Sequence, residues 1–161
     1  MDLLWNCAEQ PAALLVLAHG AGAPMDSDFM NAMAEALADR GISVVRFEFP
    51  YMARRRQEQR KFPPNRAPQL LAHFRKPEKT RTEHLPHLAV PMLICQGERD
   101  PFGKPQEVTN YGLPQAISLH WLPHGDHDFR PLKRSGLEQT DLIGDAAVRA
   151  ALFIREIRAA Q

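Results

Sequence analysis

Residues 91–103 read PMLICQGERDPFG. Together with Val90, the residues Met92, Leu93, Ile94 and Cys95 make a nearly continuous apolar run. Such a run fits a strand covered on both faces, as in a parallel sheet, better than the alternating strand of a one-sided antiparallel sheet. It breaks at Gly97, and the acidic turn Glu98-Arg99-Asp100-Pro101 follows. Open α/β sheets gather their chemistry just beyond the C-terminal strand ends, which makes Asp100 a candidate catalytic acid. A turn or helix-capping role ahead of Pro101 accounts for the same residue, so Asp100 alone does not decide between them.

The same pattern recurs on both sides. Residues 12–19, AALLVLAH, read as another buried strand that ends in His19-Gly20-Ala21-Gly22-Ala23-Pro24. The two glycines let the backbone turn sharply and let N–H groups approach a ligand. Asp26 or Ser27 is placed to cap a helix carrying Phe29, Met33 and Leu37, which stops at Arg40-Gly41. Residues 42–49, ISVVRFEF, are β-branched and aromatic and read as a third strand. A strand–helix–strand crossover of this kind is parallel and nearly always right-handed. Residues 117–122, ISLHWL, give a fourth strand running into Pro123-His124-Gly125-Asp126-His127-Asp128-Phe129. A long amphipathic helix from Glu138 to Ala160 closes the chain. No strand is expected between Pro50 and Ala89; short helices are expected at Ala67–Arg75 and Thr82–Leu88, and another at Gln106–Tyr111. The expected fold is α/β: a three-layer α/β/α sandwich with a reduced, mainly parallel sheet. It forms one domain over residues 1–161, with a basic irregular segment at about 50–90.

Composition removes several function classes. The 161 residues are 44% hydrophobic and 24% charged, ordinary for a globular chain. No apolar run approaches the ~20 residues of a membrane helix, and the start, MDLLWNCAEQP, lacks a basic leader region. Cys7 and Cys95 are the only cysteines, which fits a reduced, cytoplasmic protein. The net charge of +1 hides an asymmetry: Arg54 to Glu83 holds ten Lys/Arg against three Glu, a net of +7, so the remainder carries −6. A basic block can meet nucleic acid or an acidic partner. Without aromatic residues spaced to stack bases, a solvated connection is the simpler reading, and neither nucleic acid nor membrane is an expected partner.

In a parallel sheet the loops at Gly20–Pro24, Asp100 and His127 fall along one edge. Imidazole titrates near neutrality, so His127 is a candidate general base. Asp100 can hold its second nitrogen and stabilise the imidazolium, and the amide of Ala21 can donate to an oxyanion. A surface or capped histidine is the competing reading for His127. His124, Asp126, His127 and Asp128 together suggest metal ligands, but no remote ligand completes a set; no metal and no cofactor is expected.

The segments LAHGAGAP, RFEFPY, QGERDPFG and GDHDF, in that order over nearly the whole chain, resemble the α/β-hydrolase superfamily. Within it they resemble a small bacterial dienelactone-hydrolase-like branch related to testis-expressed protein 30. The resemblance implies an ester or acyl hydrolase lineage acting on a small-molecule ester or acyl ligand. It implies Asp100 as triad acid, His127 as triad base, and His19, Gly20, Ala21 and Gly22 as the oxyanion loop. The family's chain order is Ser, Asp, His, with the serine in a strained G-x-S-x-G turn between a strand and a helix.

That turn is missing. Residues 50–90 contain no Ser, Gly or Cys, and their only hydroxyls besides Tyr51 are Thr80 and Thr82 in a charged context. Ser27, Ser43, Ser118 and Ser135 lie outside any such motif. Phe74 and Lys76 are bridged by Arg75 alone, where the family places a strand, the elbow helix and a further strand. The expectation is a truncated α/β-hydrolase fold with an internal excision near Arg75, an incomplete triad, and activity absent or very weak. Strands robbed of neighbours favour pairing with another chain, so self-association through an exposed sheet edge is expected. The alternative is a non-catalytic binding or scaffold module using the basic segment 54–83.

Overall fold

The computed structural model describes residues 3–20, 22–63, 91–101 and 103–160. In chain order the elements are β1 (Leu3–Asn6), β2 (Ala13–Ala18), α1 (Asp28–Ala38), β3 (Ile42–Phe47), α2 (Pro50–Glu58) and β4 (Met92–Gly97). They continue with α3 (Pro105–Val108), a 3-10 turn at Thr109–Tyr111, β5 (Ile117–Leu122), a second 3-10 turn at Lys133–Ser135, and α4 (Gln139–Ala159). The helices expected at 67–75 and 82–88, and the inferred excision point, lie outside the described residues.

The strands form two sheet segments. In the first, β3 is central: it pairs in parallel with β2, from Ala13 opposite Ile42 to Ala18 opposite Phe47, and antiparallel with β1. In the second, β4 and β5 run parallel in register from Met92–Ile117 to Gly97–Leu122. The expected parallel pairing across the β2–α1–β3 crossover is met. Gly41, at φ 80°, ends the connection from α1 to β3, a backbone conformation that suits glycine.

One core unites these elements. Residues on alternate positions of a strand share a face, and Ile42 and Val44 of β3 face Met33, Ala34 and Leu37 of α1. Leu142, Ile143, Ala146, Ala147 and Ala151 of α4 join the same cluster, with Leu122 from the end of β5. Leu37, Ile42, Val44 and Leu122 are fully buried, each contributing about 1.5–3 kcal/mol of transfer free energy.

The opposite face of the first segment differs from expectation. Leu14 and Val16 were expected inside, but are 59% and 55% exposed, and Leu3 and Trp5 on β1 are exposed as well. By register, Trp5, Val45 and Val16 form one row across that face, and Leu3, Phe47 and Ala18 the next. Only the central Val45 and Phe47 are buried. The α/β class with mostly parallel strands holds, while the flanks of this face, at Leu3, Trp5, Leu14 and Val16, stay open to solvent. β4 likewise departs from full burial: Met92 to Gln96 are all half-buried, because β5 is its only pairing partner among the described strands.

Besides the 3-10 turn at Lys133–Ser135, two elements were not anticipated. β1 is four residues long, too short to give a clear alternation. In α2, Pro50 occupies the first turn, where its missing N–H costs nothing. The helix buries only the adjacent Tyr51 and Met52, so the sequence shows no apolar stripe. Part of the basic segment is thus ordered helix rather than irregular chain.

Candidate active site

Asp100 closes the turn after β4, its N–H donating to the carbonyl of Gly97 at 3.0 Å. It is not a helix cap: α3 begins at Pro105 with Lys104 in the cap position. Its carboxylate is 7% exposed and its Oδ2 lies 2.9 Å from Nδ1 of His127, whose side chain is 63% exposed. A buried carboxylate on Nδ1 selects the tautomer with the proton there and leaves Nε2 as the basic nitrogen. The contact is the same in kind as the one between acid and base in a hydrolytic triad.

The two loops are bound to one another. Backbone N–H groups of Glu98 and Arg99 donate to the carbonyls of Leu122 (3.1 Å) and Gly125 (2.8 Å). The Glu98 carboxylate accepts from the N–H of His124 at 3.0 Å, and the Arg99 guanidinium donates to the His124 carbonyl at 3.0 Å. Asp126 Oδ1 accepts from the N–H groups of Asp128 and Arg130, both at 2.9 Å, which folds the loop carrying His127. A Cβ placed on Gly97 would lie 2.4 Å from the Asp126 carbonyl oxygen and 2.5 Å from that of Gly125. Glycine at 97 is therefore a requirement of close backbone approach. Sequence reasoning missed Gly97, Glu98, Arg99, Gly125 and Asp126; charged turn residues and isolated glycines carry no signal of this contact.

The loop after β2 is arranged differently. His19 is buried, and its Nδ1 lies 2.7 Å from the Gly20 carbonyl while its Nε2 accepts from the N–H of Phe49 at 3.1 Å. The ring is thus taken up in bracing the ends of β2 and β3. Tyr51 adds a hydroxyl donation to the same Gly20 carbonyl at 3.3 Å. Gly20 and Gly22 have open space where a side chain would project. Ala21, whose amide was the oxyanion candidate, lies outside the described residues.

Among the described residues, no serine hydrogen-bonds to an imidazole. Ser43 accepts from the N–H of Ala8 at 3.1 Å and Ser135 donates to the Leu132 carbonyl at 2.6 Å. Burial pushes the Cys95 thiol up to about 11, with the nearby Asp145 carboxylate adding to the shift. Cys95 therefore stays protonated at neutral pH and is no nucleophile. Among the described residues, no group of three or more His, Cys, Asp or Glu is placed to hold a metal ion. In the same residues no helix is long and apolar enough to cross a membrane.

Parallel strands whose ends carry a paired acid and base define an α/β fold of the hydrolase type. The alpha/beta hydrolase domain family matches residues 11–76 and 72–155, and the chain belongs to that family. Its fold is similar to that of an alpha-beta serine hydrolase homologue from Coxiella burnetii (14% identity, TM-score 0.61, covering 92% of this chain and 90% of that one). It is also similar to the esterase domain of a Rhodothermus marinus protein (14%, 0.58, 94% and 91%). A third similar structure is an α/β serine hydrolase without a lid from Xanthomonas campestris (19%, 0.54, 92% and 88%). At these identities the likeness concerns the fold. No curated protein matches the sequence.

Proposed function

We propose that this α/β-hydrolase-family protein keeps the acid and base of a Ser-Asp-His triad but lacks the nucleophile, so that covalent ester or acyl hydrolysis is absent or very weak. The observation that carries this is the 2.9 Å Asp100–His127 pair in a chain whose residues 50–90 contain no Ser, Cys or Gly. A nucleophile preceding the acid in a small-residue turn has nowhere to sit. The excision reading is supported by the family match falling into two stretches that meet at 72–76, and by two sheet segments with no strand pairing between them among the described residues.

A triad missing a member keeps about 10³–10⁴-fold acceleration from binding and the oxyanion hole. The quoted motifs support a bacterial, dienelactone-hydrolase-like lineage, and the two cysteines support a reduced cytoplasmic setting. The exposed Leu14 and Val16, and strand edges unpaired among the described residues, support self-association.

A fluorophosphonate probe and a p-nitrophenyl ester test this. No labelling is expected, and any ester turnover is expected to be very weak and, resting on binding and the oxyanion hole alone, unchanged in His127→Ala. Stoichiometric labelling of any residue, or turnover abolished by His127→Ala, would overturn the proposal.

A further inference from the structure

A second cleft stands at the end of the first sheet segment, and neither Asp100 nor His127 lines it. Helix α2 leaves the end of β3 and stops at Gln59, which takes a left-handed conformation with φ 52°. The Gln59 side chain donates to the Arg56 carbonyl at 2.9 Å, fixing the reversal. Arg60 and Lys61 are thereby brought back beside the helix. They line a cleft of about 400 Å³ with Gly22, Glu48, Arg55 and Arg56.

The charges of this cleft are unbalanced. Four cations line it against one carboxylate, Glu48. Arg56 is already committed: it donates to Glu48 at 2.6 Å and to both oxygens of Asp26 at 2.7 and 2.9 Å. Arg55, Arg60 and Lys61 have no carboxylate within ion-pair distance among the described residues, and Arg60 is set 5.1 Å from the Phe62 ring. Cations in the last turn of a helix offset its dipole, which accounts for Arg55 and Arg56. It does not account for Arg60 and Lys61, which lie beyond the helix end and face the same space. Like charges converging on a concavity repel one another, and a bound anion relieves that repulsion.

We propose that this cleft binds a compact small-molecule anion bearing two or more phosphate charges. Its size falls at the lower end of small-molecule sites. The guanidinium groups of Arg55 and Arg60 match phosphate oxygens in pairs, and Lys61 adds a point charge. Arg56, held by two carboxylates, gives a fixed wall. Among the described residues the cleft lining contains no aromatic ring, so they offer no platform for a stacked base. The site does not depend on the acid–base pair, and its loss would leave the hydrolase reading untouched.

Titration calorimetry with inorganic pyrophosphate at low salt tests it. Binding tighter than about 1 mM is expected, weakened about tenfold or more by Arg60→Ala/Lys61→Ala and falling as salt rises. Lys133→Ala/Arg134→Ala, which removes two cations far along the chain in a 3-10 turn, is expected to leave binding unchanged. Equal weakening by both double variants would overturn the proposal as diffuse surface attraction. Tighter binding of citrate than pyrophosphate would overturn the phosphate assignment. Tighter binding of a single-stranded oligonucleotide through the same residues would overturn the small-molecule one. Circular dichroism of each variant separates loss of binding from loss of fold.

Discussion

The two sheet segments end in different kinds of joint. Beyond β2 and β3 the chain is held by side chains: His19 and Tyr51 on the Gly20 carbonyl, and Arg56 on Asp26 and Glu48. Beyond β4 and β5 the innermost contact is backbone against backbone, with the 97 and 125–126 peptides in direct contact and the Glu98 and Arg99 side chains clasping the His124 peptide outside it. The difference tracks what each end carries. An acid and base must be fixed within fractions of an ångström, and backbone contacts have no rotamers to relax into. A cation cleft tolerates side-chain adjustment.

The strongest way to break that contrast is a single methyl group on either side. Gly97→Ala forces the 125–126 backbone away, with an expected loss of about 2–3 kcal/mol measured by urea denaturation. The His127 Nδ1 proton signal of the carboxylate-bound tautomer is expected to disappear with it. Gly22→Ala meets nothing within 4 Å and is expected to change stability by no more than about 0.5 kcal/mol. Equal effects of the two would mean that the joints are alike.

Next in size is Arg56→Ala, which leaves the buried Glu48 carboxylate without its cation at an expected cost of about 1–2 kcal/mol. Hydrogen bonding from Arg56 holds Asp26 below its ordinary value of 3.8. The stabilisation linked to Asp26 is therefore present above that value and lost as pH falls through the lower folded value. Acid titration of stability is expected to be shallower in Arg56→Ala, and an unchanged slope would remove Asp26 from the clasp.

The smallest effect distinguishes the segments chemically. Cys7 is exposed and Cys95 half-buried with a thiol near 11. At neutral pH a thiol reagent is expected to modify Cys7 alone in the folded protein, and both thiols in denaturant. Because the folded value of Cys95 lies above its ordinary 9.0, its stabilisation is full below pH 9 and declines toward pH 11. Replacement by Val is expected to flatten that alkaline decline.

Periodicity made most of this fold legible. α1 and α4 follow from apolar spacing, and β3, β4 and β5 from β-branched and apolar runs ended by turn residues. α2 was not, because burying Tyr51 and Met52 side by side leaves no helical repeat. The Leu14 and Val16 positions were misjudged for a different reason: an apolar strand looks the same whether or not a layer lies over it, and burial is decided by what packs across. Asp100 and His127 were legible from their places just past strand ends. The clasp of Glu98 and Arg99 on the His124 peptide was not, since it depends on two loops 26 and 25 residues apart coming together.

The bare face of the first segment has an optical consequence. The chain has two tryptophans, and each segment carries one: Trp5, 55% exposed on β1, and Trp121, half-buried in β5. Acrylamide quenches the first more readily than the second. A second chain settling over Leu14 and Val16 would shift Trp5 emission toward the blue with Trp121 unmoved, so the two emissions would separate pairing at that face from changes elsewhere.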